Sequence, residues 1–277
     1  MQIAADTRAA AQSRIRLELL ANLVRKDLKV KYKSSALGFA WSLANPILYL
    51  AVFSLVFGLL GAGVPDFAVY FMSGLLVWNF FNLATLTATG SVVGNANLVK
   101  KVPFPRLVLP LSSVGFSGVH FVLQLGVFAV FLALAYRTAF GPQLLLLVPA
   151  LAVAVLFTVA MSLLVAALNV LYRDVQHLWE VALIAWFWLC PIVYPIALVS
   201  QRKLFWVYML NPMTAVIAAM QRAIYRVPAP GGQPVLAAGG YAFYLKWLGV
   251  AGAVSLALLA LGWWIFRRLE DDFAEEL

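Results

Sequence analysis

Few side chains in this sequence are equipped for chemistry, and their spacing narrows the choice further. His120 and His177 are the two histidines and Cys190 is the single cysteine. Neither a disulfide framework nor a His/Cys zinc set can be assembled from them. Asp66, Asp174 and Glu180 are too isolated to supply the acid/base set that a transferase acting on a lipid-linked sugar would need. No Gly-x-x-x-x-Gly-Lys-Ser/Thr loop occurs, so the usual cradle for nucleotide phosphates is missing. Ion-coupled carriers place ionisable groups at membrane depth. In the first four apolar runs His120 is the one candidate, and a lone histidine on a helix rich in small residues reads as a packed, hydrogen-bonded side chain.

What remains is positional. Residues 31–46 lead from a basic segment into the first long apolar run, with Gly38 and Pro46 allowing a tight entry and Trp41 placed to anchor at an interface. Residues 95–105 form a short basic loop that can make two helical turns before Pro103 and Pro105 stop it. Leu171-Tyr-Arg-Asp174 ends the fourth apolar run, where Arg173 and Asp174 are placed to form an ion pair with each other or with the N-terminal segment. Pro191 and Pro195, followed by Asn211-Pro212, interrupt the fifth run and the segment after it.

The elements that must position these residues are set by hydropathy. Of 277 residues 64% are hydrophobic and 11% charged, with a mean hydropathy of +0.92, whereas soluble domains carry about 25% charged residues. Lipid can accept that much apolar surface and water cannot. The fold class is therefore an all-α polytopic membrane protein. A net charge of +9 would suggest nucleic acid in a soluble protein. Here the cations punctuate apolar runs instead of forming a patch, so no nucleic-acid partner is expected and they mark the cytoplasmic side of a membrane.

About 20 apolar residues cross a bilayer as a helix. The uncharged runs predict six transmembrane helices at about 34–60, 67–90, 107–136, 143–171, 178–199 and 243–266, with a re-entrant hairpin at 200–226 before the last span. Were 204–221 to cross, the two basic tails would lie on opposite sides. With six spans, 14 of the 20 Lys and Arg fall inside and both termini are cytoplasmic. Arg137, Arg202, Lys203, Arg222, Arg226 and Lys246 remain outside, a cluster around the hairpin. Non-helical backbone at membrane depth must be surrounded by protein or water, so the hairpin should line something. Residues 13–31 predict an amphipathic interface helix, with Leu17, Leu20, Val24 and Leu28 on one face and Arg14, Glu18, Arg25 and Lys29 on another. The polar, basic N-terminus argues against a removable signal peptide.

The order of these features resembles the permease subunit of the ABC-2 type polysaccharide exporters, the O-antigen and teichoic-acid family. The strongest match is Arg25-Lys-Asp-Leu-Lys-Val-Lys-Tyr-Lys-Ser-Ser-Ala-Leu-Gly-Phe-Ala-Trp-Ser42. The loop ending Lys100-Lys101-Val-Pro-Phe-Pro105, the Leu-Tyr-Arg-Asp stretch and Asn211-Pro212 fall where that family has them. The resemblance implies one transmembrane domain over 1–277, in the inner membrane of a bacterium. It implies a homodimer with two copies of a separate ATPase subunit, which hold ATP and Mg; this chain would carry no cofactor and no catalytic residue. It also implies that Asn95, Asn97, Leu98, Lys100 and Lys101 form a coupling helix seated on that ATPase. The first and fifth spans would line a channel for a lipid-linked polysaccharide at the dimer seam.

Tyr49, Phe53 and Phe57 are spaced i, i+4, i+8 and share a face, and Trp186 and Tyr194 belong to the fifth span. Sugar rings stack on aromatic faces without requiring one fixed hydrogen-bond pattern, so these five are the candidate channel lining. With 14% aromatic residues, packed or lipid-facing roles compete with that reading at each position. The alternatives are an ABC-2 permease for a small lipid or drug, and a membrane glycosyltransferase or acyltransferase.

Overall fold

The computed structural model describes residues 2–33, 41–60, 64, 66–101, 104–135, 141–225, 235–237 and 239–277. Every regular element among them is helical: α1 (Gln2–Tyr32), α2 (Trp41–Leu60), α3 (Phe67–Thr89), α4 (Ala96–Lys101), α5 (Val108–Ala135), α6 (Leu147–Leu171), α7 (Val175–Trp188), α8 (Ile196–Ser200), α9 (Phe205–Met209), α10 (Pro212–Ile224), α11 (Tyr241–Leu269) and α12 (Phe273–Glu276). Short 3-10 turns at Val93–Asn95 and Pro142–Leu146 lead into α4 and α6. Hydrocarbon offers backbone groups no hydrogen-bond partner, so an apolar chain satisfies them within each helix. Four described helices are long and apolar enough to cross a membrane: Phe67–Thr89, Val108–Leu134, Pro142–Leu171 and Tyr241–Leu269.

Helix α3 is the central element and packs against α2, α5, α6, α7 and α10, while α11 lies along α6. Of the apolar window of α3, 83% is buried inside the protein, against 22% for α11. One is therefore an internal strut and the other presents most of its surface outward. Lipid tails are as apolar as leucine, so close backbone approach supplies much of what holds such helices together. Gly74 allows it between α3 and α10, since a Cβ there would lie 3.0 Å from Ile217 Cγ2 and 3.2 Å from Gln221 Nε2.

The predicted span at 178–199 is not one helix. Helix α7 stops at Trp188 and α8 resumes at Ile196, because Pro191 and Pro195 lack the N–H that would continue the ladder. The carbonyls freed by this break are caught by side chains from neighbouring helices. Pro191 O accepts from Gln221 Nε2 at 2.6 Å and from the Tyr70 hydroxyl at 3.1 Å, and Tyr194 O accepts from the same hydroxyl at 2.8 Å. Asn211 then starts α10, its side chain accepting from Met213 N at 3.1 Å with Pro212 at the first helical position. Every residue of α10 except Arg222 is buried. At 1.5 Å per residue this helix is only about 20 Å long, short of the roughly 30 Å hydrocarbon core.

Helices α3, α5, α6 and α11 overlap the apolar runs at 67–90, 107–136, 143–171 and 243–266. Helix α1 begins at Gln2, well before residue 13, and α2 begins at Trp41, with 34–40 outside the described residues.

Candidate functional site

The loop expected at 95–101 is a mounted helix. Ser91 and Asn95 close the turn that feeds it, with Asn95 Nδ2 donating to Ser91 O at 2.8 Å. Val99 is buried and Leu98 half-buried, and both pack into an apolar cluster separate from the main core. Val92, Leu107, Leu109, Leu163, Ala166, Ala167, Val170, Phe266 and Phe273 complete its buried part, so the turn after α3 and the ends of α5, α6 and α11 share one cluster with α4. With Leu98 and Val99 turned inward, Asn97, Lys100 and Lys101 are the exposed side chains of α4. Phe273, from the acidic C-terminal tail, is fully buried and meets Phe266 edge to face at 5.2 Å. The tail thereby braces the helix; one aromatic among carboxylates was the sequence signal for it.

Helix α1 docks beside this mount. Leu20, Val24 and Leu28 are half-buried, Leu17 is exposed, and Glu18, Arg25 and Lys29 face outward. The Arg14 side chain lies outside the described set. Against α5 the fit is tight: a Cβ at Gly115 would sit 2.9 Å from Val24 Cγ2. Lys26, which also lies 3.7 Å from Asp27, donates to Asn95 Oδ1 at 3.4 Å and so ties α1 to the turn before α4. One helical turn further on, Lys31 Nζ lies 3.3 Å from His120 Nε2 and 5.2 Å from the centre of the Phe116 ring. His120 Nδ1 is 2.9 Å from Phe116 O. A carbonyl can only accept, so Nδ1 carries the proton and Nε2 accepts from the lysine. His120 is therefore a packed, hydrogen-bonded anchor, and burial lowers the Lys31 ammonium below its ordinary pKa.

Arg173 and Asp174 are both exposed, and the ion pairs among the described residues do not include them. Two adjacent solvated side chains gain little by pairing in water. Asn169, four residues earlier, does the joining. Its Nδ2 donates to Thr89 O at 2.9 Å and its Oδ1 accepts from Gln176 N at 3.1 Å. This buried amide fastens the ends of α3, α6 and α7 together.

Of the aromatic residues expected along a passage, Tyr49 is exposed on α2, whereas Phe53 is half-buried with its ring 4.1 Å from that of Phe71. The Phe57 side chain lies outside the described set. Trp186 is half-buried among Phe81, Phe157 and Trp179, at centroid distances of 5.6, 5.9 and 6.1 Å. Tyr194 donates to Trp188 O at 3.2 Å, which leaves Tyr208 as the donor in their 3.0 Å hydroxyl contact. Tyr49 instead opens onto a recess of about 240 Å³ that it shares with Asn79, Asn82 and Gln124. These amides lie midway along α3 and α5, and their half-exposed donors and acceptors sit beside one aromatic face. Isolated amides in uncharged runs were the sequence signal for this recess.

The fold and these sites define a polytopic helical membrane protein with a basic helical knob mounted at one end and an amide-lined recess midway along α3 and α5. The chain belongs to the ABC-2 type transporter family, whose model matches residues 18–225. It is 31% identical over 264 residues to an O-antigen export system permease protein RfbA of Klebsiella pneumoniae, and 32% identical over 263 residues to one of Myxococcus xanthus. In each case the match covers 94% of this chain and 95% of the relative.

Proposed function

We propose that this chain is the permease subunit of an ATP-driven exporter that moves a lipid-linked polysaccharide across the cytoplasmic membrane. The observation that carries the proposal is the mounting of α4. A short helix with outward Asn97, Lys100 and Lys101 stands on a buried cluster into which the ends of three long helices, α5, α6 and α11, run. A push or pull on α4 reaches all of them at once. No phosphate loop exists in the sequence, so the force comes from a partner ATPase, which holds ATP and Mg. The Lys26–Asn95 contact and the α1–α5 fit make α1 part of the same lever.

Two copies of the chain form the passage, with α2 and α7 at the seam. Tyr49, Asn79, Asn82 and Gln124 give its wall an aromatic face beside amide hydrogen-bond partners, a pairing suited to sugar hydroxyls and C–H faces. The O-antigen permeases that align along nearly the whole chain support the polysaccharide substrate. The shortness and burial of α10 support a hairpin that enters and returns, leaving six crossings and both termini in the cytoplasm.

The test is to replace Asn97 with Ala and Lys100 and Lys101 with Glu together. Leu98 is left in place because it packs inward, and changing it would disturb the mount. The triple variant should insert and dimerise normally, lose co-purification with the ATPase subunit, and retain lipid-linked glycan inside the cell. Normal export would remove α4 from the coupling role.

A further inference from the structure

Beside α4 lies a cavity of about 750 Å³ whose rim includes Lys100 and Lys101 but whose body is formed by α5 and α11. Its polar rim holds Lys100, Lys101, Arg106 and Arg267 against the carboxylates of Glu270 and Asp271. Arg267 gives one of its five N–H donors to Glu270 at 2.9 Å and keeps the others for a second partner. Four cations face two carboxylates, so the mouth stays positive. Leu111 and Trp263 form the inner wall, and the same two residues belong to a second cavity of about 440 Å³. That second cavity runs between α5, α6 and α11 and is lined by Val159, Leu163, Leu256, Leu259 and Ala260, with no charged or amide side chain. Leu256, Ala260 and Trp263 are exposed on α11, on the helix that presents most of its surface outward.

We infer that these two adjoining cavities together bind an anionic glycerophospholipid of the cytoplasmic leaflet, its headgroup phosphate among Lys101, Arg106 and Arg267 and one acyl chain between α5 and α11. Basic pockets at the cytoplasmic ends of membrane helices attract anionic headgroups. A free phosphate would use the rim and leave the apolar half unexplained, while a second protein chain would not call for a charged mouth opening into a narrow apolar slot. The two cavities share no lining residue with the recess at Tyr49, which separates them from the proposed path of the glycan lipid. The inference rests on the orientation proposed above, with α4 on the cytoplasmic side. A bound headgroup would touch both α4 and the end of α11, and would tie the stiffness of the mount to the lipid composition of the leaflet.

The experiment uses the full-length chain in phosphatidylethanolamine nanodiscs carrying a trace of phosphatidylglycerol with a photoactivatable acyl chain. Cross-linked peptides should map to 104–111 and 256–263. Excess phosphatidylglycerol should compete and inorganic phosphate should not. Arg106→Gln and Arg267→Gln should each weaken labelling about five-fold. Ala260→Trp, on an exposed position, should block the tail path while leaving the protein folded. Equal labelling by a phosphatidylethanolamine probe, displacement by phosphate, displacement only by a polyprenyl phosphate, or labelling unchanged in all three variants would each overturn the assignment. The readout needs neither ATPase nor transport, so its failure is distinguishable from a failure of the export proposal.

Discussion

Asn169 shows how much one buried amide does at the end of a helix bundle. It donates to one helix end in a buried contact and caps the start of another in a part-buried one. Asn169→Leu leaves Thr89 O and Gln176 N to find other partners, a loss of about 1–3 kcal/mol. Thermal unfolding of the purified protein should shift downward, and an unchanged melting curve would show that the two groups are satisfied elsewhere. The recess can be probed in the same way. Asn79→Leu, Asn82→Leu and Gln124→Met remove hydrogen-bonding groups without adding charge, and each should slow export by no more than about five-fold, the worth of one hydrogen bond. The three together should slow it far more at equal protein abundance; an unaffected triple variant would make the recess a lipid-facing or packed surface. Sequence could not assemble this trio, because the amides meet only through the packing of α3 on α5. Conversely, Arg173 and Asp174, adjacent and oppositely charged, suggested a pair that the structure does not make.

The long helices were legible because apolar runs of membrane-spanning length leave the backbone no alternative to helix formation. The knob at 95–101 was legible as well, since Pro103 and Pro105 mark where it must stop. Two features at this scale were not. Pro191 and Pro195 announced a break, but the side chains that satisfy it, Tyr70 and Gln221, come from helices remote in sequence. The amphipathic pattern of α1 predicted a helix on the membrane surface; in the structure its apolar stripe docks onto α5 at Gly115. That contact depends on the absence of one side chain, which periodicity does not report. Gly115→Leu should push α1 off α5 and break the Lys26–Asn95 contact, because Val24 Cγ2 is already within 2.9 Å of a Cβ placed there. The variant should insert and still bind its ATPase through α4 but export poorly, at least ten-fold below the parent if α1 is half of the lever. Full export would make α1 a passive anchor.

Across the whole molecule, charge and aromatic rings mark the depth at which the chain sits. Lys246 lies over Trp206 and Arg222 over Tyr241 at one end of α11, while Arg267 lies over Trp263 and Arg268 over Trp264 at the other. Lys246 and Arg267 are about 32 Å apart along the helix at 1.5 Å per residue, close to the thickness of a bilayer core. Two of the six cations expected outside thus rest on aromatic faces, which lowers the cost of holding them near the membrane. The recess lies midway along α3 and α5 and α4 lies beyond the helix ends, a separation that fits the proposed division between substrate path and energy input. In the proposed role the chain moves a finished lipid-linked glycan and does not make one. The most direct test of that role is to delete the chain from its host and measure surface polysaccharide alongside lipid-linked polysaccharide retained inside the cell. Loss of surface glycan with accumulation of the lipid-linked form at normal length is the predicted result; an unchanged surface, or absence of the lipid-linked form inside, would contradict it.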